Sequence, residues 1–272
     1  MSGFISFGGS ATATNPNATW QRLGLQSNGS GVLVTAGNGV KGSYTAIGTA
    51  SAALCGIELW FGEIGSGTQR VLIDVFTDGV GTTVRVPNVA FSPGSGRWFS
   101  AWLPVTVSNG AEVGVKMQGS SGITGQVYVR GLVAASDLPP GFDNAEAIVA
   151  ADTTNTRAAS NSIEFTTSAT TFTEIEDSTA REYGAILFQV SAPVAPTNSL
   201  PGNVALATGA AASEVIIGDF PVRFTTATQP LIAPARATVL KTVASGTRLS
   251  GRLLTSNAGA PDTMSMGAIG FY

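Results

Sequence analysis

The chain has 272 residues and a net charge of −3, and only 11% of its residues are charged, against about 25% in typical soluble domains. It contains no histidine, which excludes Ser-His and Cys-His nucleophiles and histidine-ligated zinc, iron or copper. Its single cysteine, Cys55, excludes an intrachain disulfide, and we interpret it as a packing residue. The arginines are scattered singly, which predicts no nucleic-acid binding, and no segment approaches the roughly 18–20 apolar residues of a membrane span.

The composition favours strands and assembly. Val, Ile, Thr and aromatic residues are punctuated by Gly, Pro, Asn and Ser, a pattern typical of short strands and turns. A surface with so few charges suits a protein that packs against neighbours, so we expect a homo-oligomer.

Residues 1–30 show neither a helical nor an alternating period. We interpret them as an extended N-terminal arm that docks onto a partner through Phe4, Phe7 and Trp20; a disordered arm is the alternative. No positively charged segment followed by an apolar run is present, so no secretion signal is predicted.

A first module is predicted over residues 31–133. Turn-forming clusters separate eight short runs of strand-forming residues, a spacing typical of an antiparallel sandwich or jelly roll. The predicted strands are 31–35, 43–47, 56–61, 70–76, 83–87, 98–103, 113–117 and 126–130.

An acidic connector is predicted over residues 134–160, and a second module over residues 161–272. The predicted strands of the second module are 162–166, 170–175, 185–190, 203–207, 214–220, 238–243, 248–254 and 264–271. The expected fold is therefore all-β, with two tandem antiparallel β-sandwich (jelly-roll-like) modules behind an N-terminal arm.

The two modules share sequence, which indicates a duplication. Residues 44–61 can be laid over residues 172–189 without a gap at an offset of 128, which pairs Ile47 with Ile175 and Leu59 with Leu187. The same alignment sets Cys55 over Tyr183. Residues 72–89 match 203–220, and residues 105–110 match 241–246, at offsets of 131 and 136. Growing offsets are what a duplicated module with longer loops would give.

Three patterns that resemble chemical sites have simpler interpretations. Residues 37–42 match G-x-G-x-x-G, but a predicted strand follows them, so we interpret them as a hairpin turn and not a nucleotide site. Glu174 and Glu176 share a strand face and are interpreted as an exposed acidic strand end; a carboxylate pair that hydrolyses glycans is the alternative. Asp74 and Asp78 match no calcium-loop spacing. We therefore predict no catalytic residue, no metal, no cofactor and no enzymatic activity.

Trp98 and Trp102 are predicted on one face of a strand, with Phe99 on the other. We interpret the tryptophan pair as part of the core or of an interface. An exposed pair that stacks against the sugar rings of a glycan is the alternative.

The second module carries a recognisable pattern. It consists of residues 184–188 (GAILF), residues 209–217 (GAAASEVII) and residues 244–252 (ASGTRLSGR). This resembles a β-sandwich module of tailed-phage and gene-transfer-agent virion proteins, in which GAxGSExVI precedes a loop and xxGTRLxxR opens a late strand. Strand alternation puts Arg248 and Arg252 on one face, where they either contact acidic groups of a neighbour, as interface residues, or stay solvated.

The resemblance implies a structural component of a bacteriophage or phage-like virion, made in the bacterial host cytoplasm. A head spike, head fibre, tail fibre or outer decoration is expected, with capsid, tail or spike subunits as partners and the N-terminal arm as anchor. A host-surface glycan-binding module is the alternative, and a glycan depolymerase is a further one. No membrane insertion is expected.

Overall fold

The computed structural model describes residues 19–27, 29–63, 71–91, 98–119, 123–136, 138–148, 163–166, 171–191, 200–224, 236–255 and 263–272. These residues form strands and loops, and no helix capable of spanning a membrane is found among them. The strands are β1 (Trp20–Leu23), β2 (Val32–Thr35), β3 (Gly37–Asn38), β4 (Thr45–Thr49), β5 (Leu54–Glu63), β6 (Val71–Phe76), β7 (Val84–Phe91), β8 (Trp98–Leu103), β9 (Glu112–Gly119), β10 (Thr124–Val133), β11 (Ala145–Ala147), β12 (Ile163–Thr166), β13 (Thr173–Glu176), β14 (Ala185–Ser191), β15 (Leu200–Thr208), β16 (Val215–Phe224), β17 (Arg236–Val239), β18 (Leu249–Thr255) and β19 (Thr263–Phe271).

The first ten strands form one sandwich of two sheets. Sheet I has the order β1-β10-β5-β8, with β2 also paired to β10. Sheet II has the order β3-β9-β6-β7, with β4 also paired to β9. All these pairings are antiparallel except the short one between β3 and β9. Alternate residues of both sheets point inward and bury a core that includes Phe61, Ile73, Phe91 and Val115.

The remaining strands repeat this arrangement. Sheet III has the order β11-β19-β14-β17, with β12 also on β19, and sheet IV has the order β13-β18-β15-β16. Each strand of sheets III and IV thus has an equivalent in sheets I and II. The last strand of each sandwich lies between two earlier ones: β10 lies between β1 and β5, and β19 lies between β11 and β14. The predicted fold class, two antiparallel jelly-roll-like sandwiches, is confirmed, and the two sandwiches share their strand order.

Every predicted strand overlaps an observed one, although the prediction for residues 238–243 shares only two residues with β17, and three strands were missed: β1, β3 and β11. Residues 20–23, which the sequence analysis assigned to the N-terminal arm, pair with β10 and belong to the first sandwich. Residues 145–147, assigned to the connector, pair with β19 and belong to the second. Neither segment contains Val, Ile or Thr, the β-branched residues on which the strand predictions relied. Residues 1–18 of the arm and residues 149–160 of the connector lie outside the described residues.

The two sandwiches agree in detail at β4 and β13. Ile47 and Ile175 both point into a core, and each is skipped by its partner strand, so the same β-bulge recurs in both sandwiches. The match between these two positions, made at the offset of 128, is therefore structural.

The ungapped alignment fails one strand later, between β5 and β14. Leu59 points into the first core, but Leu187 points away from the second core, which receives Phe188 instead. The second module has one extra residue before β14, so the ungapped alignment is wrong by one residue there. A shift of one residue along a strand moves every side chain to the opposite face. Consequently Tyr183 corresponds to Leu54 and not to Cys55: Leu54 bridges Val107, and Tyr183 bridges the equivalent Val243.

The outer face of sheet III packs against the first sandwich. Leu187, Ile269 and Phe271 on this face join the hydrophobic core of the first sandwich. Gln189 completes the contact with its side-chain amide, which accepts a hydrogen bond from Ala90 N at 3.0 Å and donates one to a neighbouring carbonyl of β7 at 2.8 Å. The free edge of sheet II is therefore occupied by a side chain of the second sandwich.

The free edge of sheet I is covered in the same way. Arg236 donates a hydrogen bond to Ser100 O at 2.9 Å, and Thr238 donates one to Trp102 O at 3.1 Å. The Arg236 guanidinium also lies 4.1 Å from the centre of the Phe91 ring. Because one sheet face covers both edge strands, β7 and β8, the two sandwiches form a single packed unit.

Candidate functional site

All four tryptophans of the chain lie on the outer face of sheet I. Strand alternation sends Leu59 and Phe61 of β5 inward and leaves Trp60 outside. The tryptophans are half-buried, so each keeps part of its ring in contact with solvent. We call this surface the aromatic face; it consists of Trp20, Arg22, Glu58, Trp60, Trp98, Trp102, Tyr128 and Arg130.

The strand register orders these side chains in rows across the sheet. In one row Arg22 lies opposite Arg130, and Arg130 lies opposite Glu58, which is followed by Trp102 on β8. In the next row Tyr128 lies opposite Trp60. A charged row therefore runs beside an aromatic one.

Two glycines of β5 allow two indole rings to lie flat on the sheet. A Cβ placed on Gly62 would lie 3.1 Å from two ring atoms of Trp98, and a Cβ on Gly56 would collide with the ring of Trp102. Glycine inside a strand marks such a close approach. Trp98 and Trp102 are four residues apart on β8, so their attachment points are separated by about 13 Å.

An upright aromatic pair stands between the two flat rings. Trp60 and Tyr128 are stacked, with ring centres 5.5 Å apart and an angle of 8° between their planes. Trp98 contacts Tyr128 edge-on at 4.9 Å, and Trp20 contacts Trp102 edge-on at 6.1 Å. Neighbouring rings thus hold one another in place.

The aromatic face carries more positive than negative charge. Glu58 is only 8% exposed and lies 3.3 Å from Arg130, whose guanidinium also stacks over the Trp20 ring at 4.6 Å. Burial raises the pKa of the Tyr128 hydroxyl, and the Glu58 carboxylate adds to the rise. Arg22 is exposed and leaves the face with one more positive than negative charge.

The structure excludes the core placement that we considered for the predicted tryptophans, and the interface placement stays a prediction. Trp98 and Trp102 share a face, and Phe99 packs on the opposite side against the core, as predicted. The two tryptophans are not core residues, however. Trp20 is a strand residue of the same face and not part of a free arm. Phe4 and Phe7 lie outside the described residues, and their docking role stays a prediction.

Sequence reasoning missed Trp60 and Tyr128. Tyr128 follows the strict alternation of β10, and Trp60 lies between the apolar, buried Leu59 and Phe61, so their positions could have assigned both to the outer face. Their approach to Trp98 depends on the strand order, which no local pattern reveals.

Arg248 contacts two acidic residues of its own sandwich, and its role at an interface stays a prediction. Its guanidinium lies 2.8 Å from the Glu174 carboxylate and 3.3 Å from that of Glu214, and it donates a hydrogen bond to Gly209 O. The hydrogen bond to Glu174 is the main cause that raises the pKa of Arg248. Arg252 stacks 4.5 Å from the centre of the Phe172 ring. The GAAASEVII and GTRL segments are therefore joined by an ion pair.

The acidic residues singled out in the sequence have partners within the fold. Glu174 binds Arg248, and Asp74 lies 2.6 Å from Lys41. Asp78 accepts hydrogen bonds from four backbone N–H groups and one hydroxyl of its own loop, which hold its pKa well below the usual range. Burial raises the pKa of Glu176. Within the described parts of the chain, no group of three or more acidic or cysteine residues is arranged to hold a metal.

Two smaller predictions have different outcomes. Residues 37–42 are not a hairpin turn: β2 pairs in sheet I and β4 in sheet II, so the segment carries the chain from one sheet to the other. A strand follows, and no helix N-terminus is present to receive a phosphate. Cys55 is buried, its thiol lies 3.7 Å from Leu132 O, and burial raises its pKa.

Comparisons with known proteins give only distant likenesses. Protein-family models and curated proteins yield no match. Among solved structures, PNGF-II matches with a TM-score of 0.39 and 6% identity over 88% of this chain and 64% of its own, so the chain spans less than two thirds of it. The CBM22-1–CBM22-2 tandem domain of Paenibacillus barcinonensis Xyn10C has a TM-score of 0.26 and 10% identity over 94% of this chain and 92% of its own. Broad bean stain virus has a TM-score of 0.33 and 8% identity over 93% and 87%.

At these TM-scores and identities the likenesses carry no weight for function, and the resemblance to phage virion proteins stays a prediction.

Proposed function

We propose that this chain is an outer structural component of a bacteriophage or phage-like virion, such as a head spike, head fibre, tail fibre or decoration protein. The observation that carries the proposal is the packing of the second sandwich onto both edge strands of the first. It yields a single unit whose sheet edges at β7 and β8 are covered, which suits a building block that must not polymerise at random. The ion pair between Arg248 and Glu214 adds a structural reason for the motifs shared with virion proteins.

The protein works without catalysis in this proposal. The carboxylates nearest to a catalytic arrangement are Glu174 and Glu176, and the first of them is engaged by Arg248. They also lie in the second sandwich, whereas the aromatic face belongs to the first. A depolymerase would instead require both carboxylates, so that Glu174→Gln or Glu176→Gln would abolish glycan cleavage.

Residues 1–18 provide the anchor, with Phe4 and Phe7 as docking residues on capsid, tail or spike subunits. Trp20 belongs to β1, so it is held on the aromatic face of the first sandwich and lies outside the segment removed in the experiment below. The matching experiment is light scattering of the full chain and of a chain lacking residues 1–18, which leaves β1 intact. A defined homo-oligomer in both forms is expected if the sandwiches carry self-assembly.

The direct test is the protein content of particles. Particles purified on a density gradient from a strain or phage stock that carries this gene should contain the protein, as detected by mass spectrometry. Gold-labelled antibody should mark their outside in electron micrographs. Absence from the particles, with the protein free in the lysate, would overturn the proposal.

Glycan recognition is a second candidate function, and one observation favours it. Trp98 and Trp102 are exposed in part and lie flat on the sheet, with charged groups nearby. This is the arrangement of a stacking platform and not of a hydrophobic core.

A further inference from the structure

We infer that the aromatic face binds an acidic polysaccharide chain. The inference rests on the proposed function and deepens it by naming the partner of the face that the sandwich packing leaves uncovered. It uses the flat rings of Trp98 and Trp102 as stacking surfaces, and Arg22 and Arg130 as carboxylate-binding groups.

The shape of the aromatic face suits a chain of sugar rings. Each of these indoles has one side against a glycine of β5 and is only half-buried, so part of the ring stays accessible. A sugar ring presents an apolar face of C–H groups that can stack on an indole, while its hydroxyls point to the side. The indole rings lie over Gly62 and Gly56, which are six residues or about 20 Å apart along β5, and two surfaces at that separation suit an extended chain of several sugars better than a single one.

The second argument comes from the equivalent face of the second sandwich. There, the register places Ile269 opposite Leu187, and Leu187 opposite Thr238, and this uncharged row packs against the first sandwich. In sheet I the same three places hold Arg130, Glu58 and Trp102. Charged residues are depleted from the centres of protein–protein interfaces. The aromatic face therefore differs from the protein-binding face at the positions that matter most.

Two arginines on the aromatic face favour an acidic ligand. Arg22 and Arg130 lie directly opposite each other on neighbouring strands, an arrangement that repels. Glu58 pairs with Arg130 and leaves Arg22 without compensation from that carboxylate. A carboxylate of a ligand placed beside Arg22 would relieve the repulsion and accept two hydrogen bonds from one guanidinium. Because the whole chain carries −3, attraction of a polyanion would be a local property of this face.

The test uses three acidic polysaccharides: polygalacturonate, alginate and hyaluronan. Each is compared with its carboxyl-reduced form, which keeps the linkages and removes the charge. Binding to the full chain is measured by calorimetric titration at low salt. We expect at least one acidic form to bind at least about tenfold more tightly than its reduced form.

Variants assign the binding to the aromatic face. Trp98→Ala and Arg22→Gln should each weaken it by about tenfold or more. The matched controls are Phe172→Ala and Arg181→Gln, which remove a half-buried ring and a charge from the second sandwich and should leave affinity unchanged. Arg22 is exposed, so Arg22→Gln keeps the test valid if Trp98→Ala does not fold.

Three results would overturn the inference: no binding by any of the acidic chains, equal binding of acidic and reduced forms, or equal losses in the control variants. None of them would affect the presence of the protein in particles. Failure of this inference and failure of the proposed function are therefore distinguishable.

Discussion

Arg248 and Glu214 join two sequence motifs that are 34 residues apart, with the guanidinium 3.3 Å from the carboxylate. Glu214 ends the loop that leads into β16, and Arg248 immediately precedes β18. Glu174 on β13 binds the same guanidinium from the other side. One arginine therefore links a loop to two strands of sheet IV, and the two motifs describe a single structural contact.

Replacing Arg248 with Gln should destabilise the fold more than the loss of an ordinary surface ion pair does, because Glu174 and Glu214 would both lose the guanidinium that they share. Denaturant unfolding followed by circular dichroism measures the change. Arg181→Gln removes a more exposed ion pair and should cost less than about 0.5 kcal/mol. Equal losses in the two variants would contradict the structural role of Arg248.

Ala212→Gly should stabilise the protein by up to about 1 kcal/mol. Ala212 has a φ of 64°, a left-handed conformation that is unfavourable for a residue with a Cβ. Ala211→Gly is the control: Ala211 is a turn neighbour without a positive φ, so its replacement should lower stability slightly. The melting temperatures of both variants are compared with that of the wild type. A lower melting temperature for Ala212→Gly would contradict the prediction.

Gln189→Ala should weaken the contact between the sandwiches. Gln189 is 6% exposed, and its loss would leave Ala90 N and the Asn88 carbonyl without hydrogen-bond partners, at a cost of about 2 kcal/mol. Because the sandwiches share a core, the wild type should unfold in one transition, and the variant should unfold earlier or in two steps. Differential scanning calorimetry distinguishes these cases; Gln26→Ala, at an exposed turn, should change nothing measurable.

The Asp78 carboxylate should make stability depend on pH. The loop N–H donors lower the pKa of Asp78 in the folded state. Its contribution to the free energy of unfolding is therefore complete above about pH 4, the usual pKa of an aspartate, and is lost as the pH falls toward the folded pKa. The melting temperature of Asp78→Ala should therefore be lower than that of the wild type at neutral pH. The difference between the two melting temperatures should become smaller in acid. A gap that stays constant from neutral to strongly acidic pH would argue against this role.

The strands could be predicted from the sequence, but the face that each strand buries could not always be. In β14 every residue from Ala185 to Val190 is buried, because one side faces its own core and the other faces the first sandwich. Such a strand shows no alternation, so nothing in the pattern corrected the one-residue slip against β5. In β10 the alternation is strict, and the inward residues could be predicted.

The aromatic face shows the other limit of sequence reasoning. The pairing of Trp98 with Trp102 follows from strand alternation alone. Trp20, Trp60 and Tyr128 join them only through the order β1-β10-β5-β8, which depends on contacts between distant segments. Likewise, alternation assigned Arg248 to a face, but its partner Glu174 is 74 residues away.

The most direct test of the account is residue-level footprinting of the aromatic face. The full chain is exposed to hydroxyl radicals with and without the acidic polysaccharide that binds most tightly, and oxidation of each aromatic residue is read by mass spectrometry. We predict protection of Trp98 and Trp102 relative to Tyr272, a half-buried aromatic residue of the second sandwich that corrects for radical scavenging. Tryptophans oxidised as much with the polysaccharide as without it, after that correction, would contradict the account.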